Sequence, residues 1–196
     1  MKNSIKNLFA AALVMVTLSS ATLSVNATET KSNYTAITSV KNISKIIVTG
    51  NVKLIIVQDA KESVEIINKY TAKNTSVEQK GTLLTISSSN KNMVTVIAHV
   101  NNLTTIEASN TSTVSTYGKL NLLNLSVTLN DEASANINTN TVNLFTCVKD
   151  SASLKLEGST ENHSAFVSVE AKIKMADFVA QDTNISVIIK PALAKN

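Results

Sequence analysis

The sequence predicts an all-β fold, and within that class a β-solenoid: a parallel β-helix-like stack with antiparallel strands at its N-terminal side. Val, Ile and Leu alternate with Ser, Thr and Asn, and these three polar types make up roughly a third of the 196 residues. Alternation with a period of two is typical of strands, and no long segment after the N-terminus has helical periodicity. Short strands that recur about every 20 residues in the second half indicate stacked coils. A β-sandwich with regularly spaced strands is the alternative.

The first half of the chain contains separate strand signals. Runs rich in β-branched residues lie between polar turns, and we predict strands at 43–49, 52–58, 63–68, 82–87 and 93–100. In the last run, Val94 and the alternate residues after it share one face. Gly50 and Asn51 separate the first two runs, and a Gly-Asn pair between β-branched runs predicts a tight II′-type hairpin.

Small polar corners recur in the second half. Residues 125–129 alternate between apolar and polar and then enter a short polar run, and similar segments lie about 20 residues before and after. Asn110, Asp131 and Asp150 therefore fall at equivalent corners of the repeat, with a weaker copy at 166–172. One coil cannot bury its apolar side chains alone, whereas stacked coils can.

The N-terminus predicts a secretory signal peptide over residues 1–27. Lys2 and Lys6 precede an apolar run from Leu8 to Leu18, and Val25-Asn26-Ala27 resembles a cleavage site. The apolar run is shorter than the about 20 residues that a membrane span needs, and no Cys follows the cleavage site to carry a lipid. We therefore expect an exported protein, in the periplasm or at the cell surface, with a flexible leader at 28–33 and a single all-β domain at 34–196.

Charge and cysteine content exclude several classes of protein. The formal net charge of +4 falls to +2 without Lys2 and Lys6, and the remaining lysines are scattered, so no basic stripe for nucleic acid is present. Cys147 is the single cysteine and cannot form an internal disulfide; we expect a small buried side chain. His99 and His163 lack metal-ligand spacing, and we expect both at the surface.

The segment from Ile46 to Gln58, together with Asp59 and the strand at 62–66, resembles the start of the head GIN domain, a group of autotransporter-adhesin-like proteins abundant in Bacteroidetes. Residues 102–109 are similar to a later strand of that family, and the resemblance spans roughly 40–190. It implies an exported all-β domain with a β-helix-like stack and, by analogy, an adhesin. The family brings no catalytic residues. Its Gly-rich corners are replaced here by Asn, Asp, Ser and Thr.

Three acidic residues are the candidates for a metal or catalytic site. Asp131, Glu132 and Asp150 could meet at one edge of the stack, where carboxylates could bind Ca²⁺ or act as an acid/base pair on a glycan. The alternative is that they are solvated corner residues that help the chain turn. We expect no catalytic residue and no cofactor.

These observations favour a non-enzymatic, adhesin-like protein that presents a polar β-surface for binding or self-association. Its partner would be a cell-surface or envelope component, and we expect neither nucleic acid nor a membrane span in the mature chain. The alternative is a carbohydrate-binding or carbohydrate-active β-helix protein. Sugar sites use aromatic faces, and the sequence offers no Trp and three tyrosines, Tyr34, Tyr70 and Tyr117.

Overall fold

The computed structural model describes residues 36–67 and 74–189, and these residues form thirteen strands and no helix. The strands of the first half are short: β1 (Ala36–Ser39), β2 (Lys45–Gly50), β3 (Val52–Gln58), β4 (Ser63–Ile67), β5 (Thr75–Lys80), β6 (Leu83–Ser88) and β7 (Val94–Val100). The later strands lengthen: β8 (Thr105–Ser109), β9 (Thr113–Tyr117), β10 (Leu120–Leu129), β11 (Ser134–Val148), β12 (Ser153–Ser168) and β13 (Lys172–Ile188). The predicted signal peptide and leader lie outside the described residues.

Strand direction divides the molecule into two parts. The three antiparallel pairs, β1–β4, β4–β7 and β5–β6, all lie among the first seven strands. The other pairs are parallel and join residues about 20 positions or more apart. The predicted fold class, a parallel stack with antiparallel strands at its N-terminal side, is therefore confirmed.

Two parallel ladders build the stack. The first ladder runs in the order β6, β2, β8, β10 and then continues through the later parts of β11, β12 and β13. The second ladder runs through β7, β3 and β9 and then through the first residues of β11, β12 and β13. Each long strand thus contributes to both ladders, because it bends around the coil.

The core lies between the ladders. In the first ladder Leu84, Ile46, Ile106 and Val127 follow one another in register, and all four are fully buried. Alternate residues of the predicted strand at 93–100 are buried as expected. Burial of such side chains contributes about 1.5–3 kcal/mol each, so the stacked aliphatic columns hold the coils together.

The predicted hairpin at Gly50-Asn51 is wrong. Strands β2 and β3 belong to different ladders and do not pair with each other. Gly50 has φ of 81°, and a Cβ there would collide with the backbone carbonyl of Ser88 in the neighbouring coil. The Gly-Asn pair is therefore a corner between two ladders. Glycine is needed there because the next coil approaches closely, and a tight hairpin would need glycine as well.

The interior becomes more polar toward the C-terminal coils. Thr139, Thr141, Thr146 and Thr160 are buried. The hydroxyls of Thr139 and Thr160 donate to backbone carbonyls, that of Thr141 donates to Thr160, and that of Thr146 bonds to the ring of His163. His163 is 2% exposed, which makes the expectation of a surface residue wrong. It occupies an inward position of β12, beside Thr146 of β11, where strand alternation rather than side-chain type decides burial.

Cys147 is half-buried on the outer side of β11 and is a free cysteine. The expectation of a buried side chain is therefore wrong, because inward positions of this strand are taken by Thr146 and Val148.

Among the residues that the structure describes, no helix is long and apolar enough to cross a membrane.

Candidate functional site

The three corner residues that the sequence singled out stack along one edge of the solenoid. Asn110, Asp131 and Asp150 have φ of 58°, 60° and 53°. The N–H of Glu132 donates to the carbonyl of Asn110 at 3.1 Å, and the N–H of Ser151 donates to the carbonyl of Asp131 at 2.9 Å. The corners are therefore equivalent positions of successive coils. Asn and Asp tolerate the left-handed conformation that these turns require.

The corner carboxylates bond to backbone donors of the adjacent coil. Asp131 Oδ2 accepts a hydrogen bond from the N–H of Asn110 at 2.9 Å, and Asp150 Oδ2 accepts one from the N–H of Asp131 at 3.4 Å. Asn110 in turn donates from Nδ2 to Thr49 Oγ1 at 2.8 Å. This chain of contacts links four coils, and we call it the corner column.

The corner column gathers Asp131 and Asp150, and Glu132 is exposed beside them. Over 36–67 and 74–189, no group of three or more His, Cys, Asp or Glu side chains is placed to hold a metal ion. Calcium takes six to eight oxygen ligands, and Asp131 already uses one carboxylate oxygen on Asn110. The calcium and acid/base hypotheses for these three residues stay predictions.

Hydroxyl and lysine side chains line part of the outer side of the second ladder, and we call this surface the Ser/Thr face. Its side chains are aligned in rows across the strands, because parallel pairing in register places equivalent residues side by side. One row comprises Thr95, Lys53, Thr113, Ser134, Ser153 and Lys172. Ser134 Oγ donates to Thr113 Oγ1 at 3.3 Å, so the row also bonds within itself.

Lysines give the Ser/Thr face a charged margin at its C-terminal coils. Lys155 Nζ lies 2.7 Å from Glu157 Oε1 and 3.9 Å from Asp177 Oδ2. The hydrogen bond from Lys155 holds the pKa of Glu157 below its ordinary value, and the same contact raises the pKa of Lys155. Both groups are therefore charged at neutral pH, and the pair is a fixed polar feature of the surface.

Asparagine ladders, which the sequence analysis did not single out, run along the turn beside the first ladder. Asn143 Nδ2 donates to Asn124 Oδ1 at 2.8 Å, and Asn162 Nδ2 donates to Asn143 Oδ1 at 3.0 Å. The signal was present in the sequence, because these three residues recur at 19-residue spacing. Such stacked amides fix the register of the coils and leave few free donors for a ligand.

Two open polar clefts lie among the N-terminal strands. The first, of about 640 Å³, is lined by amides and hydroxyls, among them Asn51, Asn74, Ser88 and Asn110. Asn51 Nδ2 donates to the carbonyls of Asn90 and Lys91 at 3.2 and 3.0 Å. The second, of about 610 Å³, lies beside Glu62, which accepts bonds from the N–H groups of Ile43 and Asn101. Through these hydrogen bonds, Asn51 in the first cleft and Glu62 in the second each join neighbouring loops.

The half-buried His99 and the exposed Tyr117 border the Ser/Thr face. His99 Nδ1 lies 3.5 Å from Asp59 Oδ2. The pKa of Asp59 is lowered, chiefly by the N–H of Lys61 and then by His99. Tyr117, at the end of β9, is 75% exposed and pairs in register with Val57. Among the residues that the structure describes, its ring is the exposed aromatic side chain beside the Ser/Thr face.

Solved structures share this architecture. A protein described as a putative adhesin from Bacteroides fragilis aligns with 81% of this chain and 77% of its own, at a TM-score of 0.69 and 16% identity. A putative adhesin from Parabacteroides distasonis aligns with 80% and 78%, at 0.60 and 16%. A putative lipid binding protein from the same species aligns with 79% and 78%, at 0.65 and 10%. At such identities the likeness shows the fold.

No curated protein matches the chain. A family model does: the one described as putative auto-transporter adhesin, head GIN domain, matches residues 42–188. This range contains every strand from β2 to β13 and the whole corner column. The chain therefore belongs to the head GIN domain family of putative auto-transporter adhesins.

Proposed function

We propose that this chain is an exported, non-enzymatic, adhesin-like protein that presents the Ser/Thr face for binding to a component of the cell surface or envelope or for self-association. The observation that carries the proposal is the row of hydroxyl and lysine side chains held in register across the second ladder. A rigid, flat array of donors and acceptors suits adhesion, because little side-chain entropy is lost when a partner binds. Family membership supports the same role.

Export forms part of the proposal. Residues 1–27 act as a signal peptide cleaved near Ala27, residues 28–33 as a leader and residues 34–196 as one all-β domain. The n-region lysines, the short apolar run and the Val-Asn-Ala site support this division. The family model, which matches 42–188, lies within the proposed domain.

The acidic corner residues have a structural role in this proposal. Asp131 and Asp150 hold adjacent coils through backbone N–H groups rather than through a metal or a substrate. The protein therefore works without cofactor or catalytic residue. Melting temperature measured with calcium and with a chelator tests this part. A melting temperature that calcium raises in wild type but not in Asp131→Asn would contradict the structural role of the corner residues.

Binding to isolated envelope fractions tests the role of the Ser/Thr face. Ser134→Arg places a long charged side chain in the middle of this face, and we expect it to lose envelope binding. Ser126→Arg is the matched control, because Ser126 is also half-buried and points outward, but on the first ladder. Equal binding by wild type and both variants would contradict the proposal.

Carbohydrate binding is the second candidate, and exposed Tyr117 favours it. Aromatic rings stack on the apolar faces of sugars, and this ring stands at the margin of the Ser/Thr face with 75% of its surface exposed. Glycan-array binding that Tyr117→Ala abolishes would support this candidate. An array without any bound glycan would eliminate it.

A further inference from the structure

His163 lies inside the solenoid, between the last two described coils. Its side chain is 2% exposed, and its Nε2 lies 3.0 Å from Thr146 Oγ1 of β11. The ring of Phe178, from β13, packs against the imidazole at a centroid distance of 5.5 Å and an interplanar angle of 77°. The imidazole is therefore enclosed by β11 on one side and by β13 on the other.

This enclosure suits the neutral ring and not the protonated one. His163 Nδ1 is buried and has no hydrogen-bond partner among residues 36–67 and 74–189. A neutral imidazole carries one N–H, whereas the protonated ring carries an N–H on both nitrogens, so the N–H at Nδ1 would lack an acceptor. Burial opposes the charge as well and lowers the pKa of His163. The closed structure therefore rejects the proton.

No carboxylate faces the ring from the described strands packed against it. β11 contains no charged residue. Glu161, two residues before His163, and Asp182, next to its register partner Thr183 on β13, are both exposed. The other charged residues of β12 and β13 are exposed or paired on the outer surface: Lys155, Glu157, Lys172, Lys174 and Asp177. A charged imidazole would therefore depend on water for its stabilisation.

The strand β13 is held to the stack from one side. It pairs with β12 and with no other described strand, and none of its 17 residues is fully buried in the described structure. Ile173, Met175 and Phe178 pack against the core but are only half-buried. On the other side of β12, by contrast, alternate residues of β11 are buried. Local opening involves regions with few buried contacts, so detachment of β13 is the opening that admits water to His163 at the lowest cost.

We propose that β13 is a pH-sensitive element of this fold: in mild acid, protonation of His163 releases β13 from β12 while the preceding strands stay folded. The released form exposes both ring nitrogens to water, so it takes up the proton that the closed form rejects. This response to pH goes beyond the proposed adhesion through the Ser/Thr face and is independent of it.

The ordinary pKa of histidine sets the size of the effect. His163 titrates near about 6.5 in the released form, whereas burial holds its pKa lower in the closed form. The equilibrium constant for release therefore rises as the pH falls, by at most about tenfold per pH unit below that value. Between about pH 7.5 and pH 5.5, we expect the released population to rise by up to about tenfold.

Hydrogen exchange of the purified chain, measured by mass spectrometry at these two pH values, tests the proposal. Each rate is divided by the intrinsic rate of the same peptide at the same pH. Peptides of β13 are expected to be less protected than those of β8 and β10 at both pH values, and to lose up to about tenfold of their protection in acid. Protection of β13 that is independent of pH would show that its release does not expose His163. Protection equal to that of β8 and β10 would show that β13 opens only when the whole chain unfolds. Either result would overturn the proposal.

Substitution of His163 separates its titration from that of the carboxylates. His163→Gln and His163→Phe cannot take up the proton, so either variant that folds should protect β13 equally at both pH values. Ile173→Ala is the matched control, because it weakens the packing of β13 opposite Leu154 and leaves the histidine in place. Its β13 peptides should exchange faster at both pH values and still lose protection in acid. An acid response that survives without His163, or that Ile173→Ala also abolishes, would contradict the assignment, and the comparison of strands in wild type stands without any variant.

Discussion

The carboxylate of Asp131 accepts a hydrogen bond of 2.9 Å from the backbone N–H of Asn110, 21 residues earlier in the chain. Both residues have positive φ and occupy the same corner of successive coils. The Asp131 side chain therefore serves two purposes. Aspartate tolerates the positive φ that the turn requires, and its carboxylate oxygen joins that turn to the preceding coil. The corner column repeats this contact with Asp150.

Asp131→Ala removes both contributions at once. We expect a loss of about 1–3 kcal/mol in the free energy of unfolding, because Ala is strained at positive φ and the N–H of Asn110 loses its acceptor. Asp131→Asn retains an acceptor oxygen and tolerance of the turn, so its loss should be smaller. Urea unfolding measures both. Glu132→Ala, at the exposed next position, is the control, and an equal loss for all three would contradict the account of the corner column.

Gly50→Ala tests the close approach of coils at the Gly-Asn corner. Its new Cβ would strike the carbonyl of Ser88, so the neighbouring backbone must move and we expect a loss of about 2 kcal/mol or more. Gly81→Ala provides the comparison, since Gly81 also has positive φ, at 59°, but faces open space. Gly81→Ala should lower the free energy of unfolding by about 1 kcal/mol. Indistinguishable thermal unfolding of the two variants would show that the contact with Ser88 is unimportant.

Burial of His163 predicts destabilisation by mild acid. Burial lowers the pKa of His163, whose Nε2 lies 3.0 Å from Thr146 Oγ1 and whose ring meets the edge of Phe178. Below the ordinary pKa of about 6.5, the unfolded chain takes up a proton that the folded chain rejects. The free energy of unfolding should therefore fall as the pH falls, by at most about 1.4 kcal/mol per pH unit.

Unfolding of wild type and His163→Leu between about pH 7 and pH 5.5 measures this effect. The substitution should flatten the dependence on pH, whatever its effect on overall stability. A dependence on pH that His163→Leu leaves unchanged would contradict the assignment to His163.

Two buried threonines should respond unequally to loss of a hydroxyl. Thr141 Oγ1 donates to Thr160 Oγ1 at 2.9 Å, and Thr160 Oγ1 also lies 3.1 Å from the carbonyl of Val142. Thr160→Val leaves the buried Thr141 hydroxyl without its acceptor, which costs about 1–3 kcal/mol. Thr141→Val leaves Thr160 bonded to Val142 and should cost less. Chemical denaturation of both variants checks the order, and the reverse order would refute this reading of the interior.

The fold class could be predicted because alternation and period are local properties of the sequence. The 19- to 21-residue spacing of Asn110, Asp131 and Asp150 indicates the corners from the sequence alone. The hairpin at Gly50 could not be distinguished from a corner, because both need positive φ at glycine. Only the pairing of β2 and β3 with other strands decides between them.

Positions within a strand were harder to predict than the strands themselves. His163 was expected outside and lies inside, because its side follows from the register of β12 rather than from its polarity. The Ser/Thr face could not be identified from the sequence either, since its row joins residues as distant as Lys53 and Lys172.

Protease shaving of intact native cells, followed by immunodetection of this chain, tests the central claim most directly. An exported adhesin presents its Ser/Thr face to the outside, so the account predicts that the signal disappears when protease is added to intact cells. Protection until the outer membrane is opened would place the chain in the periplasm and contradict adhesion. Protection until the inner membrane is opened would contradict export itself.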